Sequence, residues 1–310
     1  MRKLAALLLL PLSTLSVAPA WAAADRSAFF ASFAEQEARL ATVAYRLSTA
    51  NANWCPKIEQ QPGWLLSDLR RFQASDQKAA TATYGAGDAP FIAAVAPGSP
   101  AERANLRRGV RIAAIDGQAL APSGDAPTIR VDTAIVALSA RDAGAAWTMT
   151  DTEGRQYRVP SSPGCASAFR IELGGAQAAA NGLLVRMTHD LAQSIDDEEE
   201  LAAVIAHELS HNILRHRDRL GSDRSAARVQ RSELEADRLA VWLMAGAGYD
   251  PAAAIRFWNR HKRPLIRAAT HPPRSERIVA IESEIAAMQA AKIADPAARP
   301  VWIANPPPLE

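Results

Sequence analysis

Apolar residues recur at three- and four-residue spacing from position 25 to about 50. Phe29, Phe30, Phe33, Leu40, Val43 and Leu47 fall on one face among polar neighbours, which predicts an amphipathic helix over 25–50. The Asn-containing run at 48–53 ends it. From about 60 to 164 the pattern shortens. Brief apolar runs alternate with Gly, Pro and Asp turns, the mark of strand-rich organisation. From about 167 the chain turns mainly helical, after a short strand signal at 183–187. One helix is expected over 196–216, with Ser194 or Asp196 as cap. Its acidic first turn at 197–200 and basic end at Arg215, His216 and Arg217 suit the helix dipole. A second is expected over about 223–245. The fold class is α+β: a mainly helical unit (165–295) with a short edge sheet, joined by the helix in 25–59, and an inserted β-rich unit at 60–164. Residues 296–310 form a Pro-rich tail, in which the run Asn305-Pro306-Pro307-Pro308 is expected to be loose.

The first residues read as a targeting segment. Arg2 and Lys3 precede an apolar run at 4–10, and Ala22-Ala23-Ala24 stands before Asp25 as a small-residue cleavage site. The apolar run is too short for a membrane span, and no later stretch approaches that length. The expectation is a signal peptide over 1–24 and a periplasmic or secreted mature chain with no transmembrane segment. The whole sequence carries 35 Lys+Arg against 33 Asp+Glu. Removing Arg2 and Lys3 with the leader leaves it near neutral. No basic stripe with interleaved aromatics is present, which argues against nucleic acid as a partner. The short basic runs at 215–219 and 260–263 suit helix ends.

Cys55 and Cys165 are the two cysteines. Export to an oxidising compartment makes a disulfide between them the expectation. They bracket the middle segment, as a clamp at the base of an insertion would. Two buried free thiols are the other reading.

Within that segment Phe91-Ile92-Ala93-Ala94-Val95 leads to Pro97-Gly98-Ser99-Pro100-Ala101, then to Leu106, Gly109, Ile112, Ile115 and Asp116-Gly117. This resembles a PDZ domain of the bacterial type, with a groove helix at 128–139 and a hairpin around Glu153-Gly154. A generic small β unit is the plainer alternative. Asn105 stands where that family has Gly, and Asn tolerates a left-handed backbone. Val110 replaces the family's Asp. A PDZ groove takes an extended peptide by strand addition. Residues 84–87 (Tyr-Gly-Ala-Gly) are the candidate loop for a terminal carboxylate.

The chemistry concentrates further on. His207 and His211 are four apart on the predicted helix, so two imidazoles face one point. Glu208 is one step round, where it can reach water at a metal without ligating it. The next helix carries Glu233-Leu234-Glu235-Ala236-Asp237. A carboxylate from it completes a His2Glu zinc site with one open position. Glu233 and Asp237 share a face, so one can ligate while the other holds a ligand histidine. Glu235 is the rival third ligand, though it points to another face.

His207-Glu208-x-x-His211 with Glu233-x-x-x-Asp237 resembles the HtpX and CAAX prenyl endopeptidase family of gluzincin zinc metallopeptidases. The likeness runs from about 176 to 281. It includes Ala179-Ala180-Asn181-Gly182, His216, and Thr270-His271-Pro272-Pro273 with Arg277 beyond. The resemblance implies one zinc on His207, His211 and Glu233, with Asp237 behind the ligands. His271 then stabilises an oxyanion, or gates the open zinc position, or is a loop residue made rigid by its prolines. Arg277 is a weaker candidate for the same neighbourhood. His189, His216 and His261 lack ligand spacing and are read as structural. The membrane helices and tetratricopeptide repeats of some members are missing, so specificity for prenylated proteins does not carry over.

The expected function is a metalloendopeptidase acting on exported or misfolded proteins. Substrate would lie along the strand at 183–187, and the PDZ-like unit would recruit substrate or restrain access. The rival is a periplasmic chaperone or scaffold with a structural or latent zinc site, closed by His271.

Overall fold

A computed structural model describes residues 20–85, 87–120, 126–261 and 271–309, with side chains from Arg26 onward. The leader is therefore outside the description up to residue 19, as is Ala86 of the proposed carboxylate loop. Helix α1 (Ala20–Ala50) starts before Asp25 and is the spine of the main core. Phe30, Phe33, Leu40, Val43 and Leu47 are fully buried along it. Asn51 closes its end by donating from Nδ2 to the carbonyls of Leu47 (2.8 Å) and Leu243 (3.0 Å). A Cβ at Gly246 would meet the Asn51 Oδ1 at 2.1 Å, so this close approach requires glycine there.

The middle of the chain forms β1 (Ile58–Gln60), β2 (Trp64–Ser67), α2 (Gln77–Tyr84), β3 (Phe91–Val95), α3 (Pro100–Arg103), β4 (Ile112–Ile115), β5 (Gln118–Ala119), α4 (Ile129–Ser139), β6 (Trp147–Asp151), β7 (Gln156–Val159) and β8 (Pro163–Cys165). Strands β2 and β3 pair antiparallel, β5-β4-β6-β7 form a second sheet, and β1 pairs β8. Ser99 caps α3 by accepting from the Glu102 amide. Asn105 takes φ 60° at its end, the left-handed conformation expected from Asn. Ile92, Ile112, Ile115, Val131, Trp147 and Met149 form a core of their own. The β-rich unit is nonetheless fused to the rest. Phe91 and Ala93 on β3 turn the other way and join the main core beside α1, with Tyr84 of α2. Cys55 and Cys165 are bonded, with Cα atoms 5.4 Å apart, beside the β1–β8 pair.

The rest of the chain supplies β9 (Ala168–Glu172), β10 (Ala178–Ala180), β11 (Leu184–Thr188), α5 (His189–Gln193), α6 (Glu198–Ile213), α7 (His216–Leu220), α8 (Ala226–Gly246), α9 (Ala253–Arg260) and α10 (Arg274–Ala294). The molecule is thus mixed helix and sheet, as the α+β expectation required. Two details differ from the sequence reading. The helix expected over 196–216 stops at Ile213, because Arg215 takes φ 55° and turns the chain into α7. The tail is docked on either side of the run expected to be loose: Ile303 and Leu309 are buried and the Arg238 guanidinium lies over the Trp302 ring, while Asn305, Pro307 and Pro308 are exposed. Apolar residues between the prolines give the tail something to bury. Among the described residues no helix is long and apolar enough to cross a membrane.

Candidate metal centre

Asp197 caps α6 by accepting from the Glu199 amide at 2.9 Å, and Glu198, Glu199 and Glu200 fill its first turn. Both features stabilise a helix start. Small residues at Ala202, Ala203 and Ala206 are buried, which lets α8 pack closely on α6. His207 and His211 sit one turn apart with Nε2 atoms 3.1 Å from each other. From α8, Glu233 reaches them: its Oε2 is 3.3 Å from His207 Nε2, and its Oε1 is 3.5 Å from His211 Nε2. One donor atom from each of the three lies within 4.8 Å of the others.

The donor set fits a tetrahedral zinc. Ligands at about 2.0–2.1 Å in that geometry stand about 3.3 Å apart, close to the separations seen here. Glu233 Oε2 is moreover buried without a hydrogen bond. His207 Nε2 at 3.3 Å and Arg277 Nη1 at 3.7 Å meet it at ion-pair distance, and a bound cation would give this buried oxygen the closer partner it lacks.

The second nitrogen of each imidazole is also accounted for. His207 Nδ1 is 3.0 Å from Asp237 Oδ1. Arg277 grips that carboxylate with two hydrogen bonds, Nε to Oδ2 at 2.7 Å and Nη2 to Oδ1 at 2.6 Å. Its guanidinium stacks 4.1 Å above the Trp258 ring centre. His211 Nδ1 is 2.8 Å from His216 Nδ1, and His216 Nε2 is 3.0 Å from Glu235 Oε2. Arg219 donates to the same Glu235 carboxylate at 2.6 Å.

Charge states follow from these surroundings. Burial and Arg277 pull His207 down, but the carboxylates of Asp237 and Glu233 outweigh them and lift it to about 9. Burial holds His211 well below the usual imidazole value. Burial also lowers His216, against the pull of Glu235. Burial works to raise Glu233 and Asp237, yet both stay low: His211 and His207 hold Glu233 down, and Arg277 holds Asp237 down. On Glu208 burial outweighs the pull of His207, Arg277 and Arg186 and pushes the carboxyl up to about 7.

Glu208 stands between two openings. On one side is an apolar recess walled by Ala203, Val204, Ala240, Phe257, Trp258 and Ile281, with His207 and Glu208 at its edge. On the other is a wider cleft reaching from 177–182 past His211 and Glu233 to His271, Arg217 and Arg224. His271 Nε2 lies 3.7 Å from Glu233 Oε1, outside the three-donor cluster.

The structure therefore gathers His207, Glu208, His211, Glu233, Asp237, His271 and Arg277 in one place. Glu235, the rival ligand, faces His216 and Arg219 instead. His189 is buried and stacks on Phe33, and the half-buried His261 stacks on Phe257. His216 departs from its structural reading, since it touches a member of the donor set. A continuous helix would have turned it away, and no spacing rule anticipates the left-handed Arg215. The strand expected to receive substrate is also replaced. β11 is paired on both sides, in the order β10-β11-β9, so it has no free edge. The edge that borders the cleft is β10.

Residues 175–225 and 225–285 match the family model of Peptidase family M48. The first stretch holds His207, Glu208 and His211, and the second holds Glu233, Asp237, His271 and Arg277. The match supports a metallopeptidase of that family, whose members depend on zinc. No protein of the curated set matches the chain.

Proposed function

We propose that the chain is a zinc-dependent endopeptidase of exported or misfolded proteins, working in the periplasm or outside the cell after loss of its leader. The observation that carries this reading is the convergence of one donor atom each from His207, His211 and Glu233 within 4.8 Å of one another, with Glu208 beside the cluster and not in it. Zinc held by those three supplies Lewis acidity, polarising a peptide carbonyl and lowering the pKa of water. Glu208 takes a proton from the attacking water on a carboxylate oxygen and hands it to the leaving amine. His271 is the donor available to the oxyanion. Asp237, held by Arg277, keeps the His207 ring turned so that Nε2 faces the metal.

Substrate lies extended along the free edge of β10, where backbone groups can pair with it. The apolar recess beside Glu208 takes an apolar side chain next to the scissile bond. Such side chains are buried in folded proteins and exposed in misfolded ones. That supports unfolded chains as the substrate class. The PDZ-like unit acts as a restraint on access more than a recruiter. The gap between β2 and α4, where a peptide strand would add, is bordered by the chain's own Gln60, Gln61, Ser167 and Phe169. Ion pairing of Arg170 with Asp132 (2.6 Å) ties the two sides together.

One experiment tests the whole reading. Wild type and Glu208→Gln are assayed for bound zinc and for digestion of an unfolded protein, with fragment ends read by mass spectrometry. We expect about one zinc in each, as a single such site holds. Loss of general-base catalysis should slow proteolysis about 10²–10⁴-fold in the variant, and wild-type cuts should fall beside apolar residues. Undiminished digestion by Glu208→Gln would sink the assignment. Cuts without an apolar preference would sink only the role of the recess.

A further inference from the structure

The two candidate histidine ligands are supported in different ways, and the second support is unexplained by the motif. His207 uses a direct carboxylate, Asp237. His211 meets another histidine. Two imidazole nitrogens 2.8 Å apart must share one proton: one carries it and the other accepts. If His211 Nε2 is to present a lone pair toward the His207–Glu233 cluster, its Nδ1 must carry the proton. His216 Nδ1 must then accept, which places the remaining His216 proton on Nε2. That nitrogen faces Glu235 Oε2 at 3.0 Å, a carboxylate and therefore an acceptor. Glu235 is held in turn by Arg219 from Nη1 (2.6 Å) and Nη2 (3.3 Å). Arg219 also donates to the carbonyl of Pro307 in the docked tail. Every donor and acceptor along this line has one consistent assignment.

Resting on the zinc reading above, we propose that His216 and Glu235 are positioning residues for the metal site. They fix the tautomer and ring angle of His211 through a chain anchored by Arg219. His216 is 1% exposed, so it has no water to replace these partners. The result is a two-armed support. Each arm ends in a carboxylate clamped by an arginine: Asp237 with Arg277 behind His207, and Glu235 with Arg219 behind His211. The second arm is one imidazole longer because α7 intervenes between α6 and α8.

The test is zinc affinity, measured on the full chain by competition with a chromophoric chelator. His216→Phe fills the space but can neither accept nor donate. It should weaken zinc by about 10–100-fold, the usual cost of losing such an outer partner. His216→Gln offers an amide oxygen to His211 and an amide N–H to Glu235, so it should stay near wild type. Glu235→Ala should weaken zinc in the same direction as His216→Phe, and it decides the matter if the Phe variant does not fold. Circular dichroism of the metal-free chains monitors folding. Wild-type affinity in both His216→Phe and Glu235→Ala overturns the proposal, as does a Gln variant as weak as the Phe variant. His211→Ala separates this failure from failure of the zinc reading: if it too binds zinc like wild type, the site itself is misassigned.

Discussion

At the scale of single residues, burial decides more than identity does. Glu208 and Glu233 are both buried glutamates at one site. Glu233 stays ionised because two histidines and Arg277 surround it, while burial pushes Glu208 up to about 7. A third buried glutamate, Glu37, lies on α1 away from the metal centre and accepts from the Tyr84 hydroxyl at 2.6 Å. Burial raises its carboxyl to about 7, against the Tyr84 hydrogen bond and the charges of Arg71 and Arg108. In the unfolded chain it ionises near the ordinary 4.5. Its contribution to stability is therefore full below that value and is lost as pH rises to about 7. Glu37→Gln removes this slope while keeping an acceptor for Tyr84. Relative to wild type it should gain up to about 3 kcal/mol between pH 4.5 and 7.5. Urea unfolding at several pH values measures the difference, and a gap independent of pH would contradict the account.

At the scale of elements, one backbone conformation shapes the site. Arg215 at φ 55°, ψ 39° ends α6 and starts α7. It swings His216 back against His211 where a continuing helix would have carried it away. The Arg215 side chain is exposed and, among the described residues, pairs with the exposed Asp218, so its charge contributes little. The backbone is what matters. Arg215 already bears the about 1–2 kcal/mol that a left-handed conformation costs an L residue, and Arg215→Val should be less stable still, because its branched β-carbon crowds the backbone further. Arg215→Gly has no such penalty and should be at least as stable as wild type. Thermal unfolding of the two variants checks the order; equal stability would mean that the turn relaxes without cost. The element pattern explains what was legible beforehand. The periodicity of α1, the acidic start of α6 and the Asn105 cap were readable because each is set by local sequence. The end of α6 was not, because Leu214, Arg215 and His216 are all acceptable in a helix.

At the scale of the whole molecule, the β-rich unit shares strand β3 with the main core, and its two ends are closed together at the base by β1–β8 pairing and the Cys55–Cys165 bond. The disulfide joins positions separated by 110 residues of sequence. A bond closing a loop of that length restricts the unfolded chain strongly. Replacing both cysteines by Ser should cost about 2–5 kcal/mol, read as a lower denaturant midpoint than the oxidised wild type. An unchanged midpoint would mean that β1–β8 pairing and the shared strand already hold the junction. The docked tail adds a further tie, through Ile303, Leu309 and the Arg219 contact with Pro307.

By itself the sequence determined which candidate donors share a helix face. Helical spacing puts His207 beside His211, and Glu233 in the same register as Asp237, before any tertiary contact forms. It also located the β-rich segment and the two cysteines that flank it. Only the tertiary structure decided which edge faces the cleft, since strand order depends on partners distant in sequence. It likewise sent Glu235 to His216 rather than to the metal, seated the tail, and turned β2 and α4 toward the chain's own residues. These outcomes come from packing between elements and from one left-handed residue, and neither leaves a period in the chain to read.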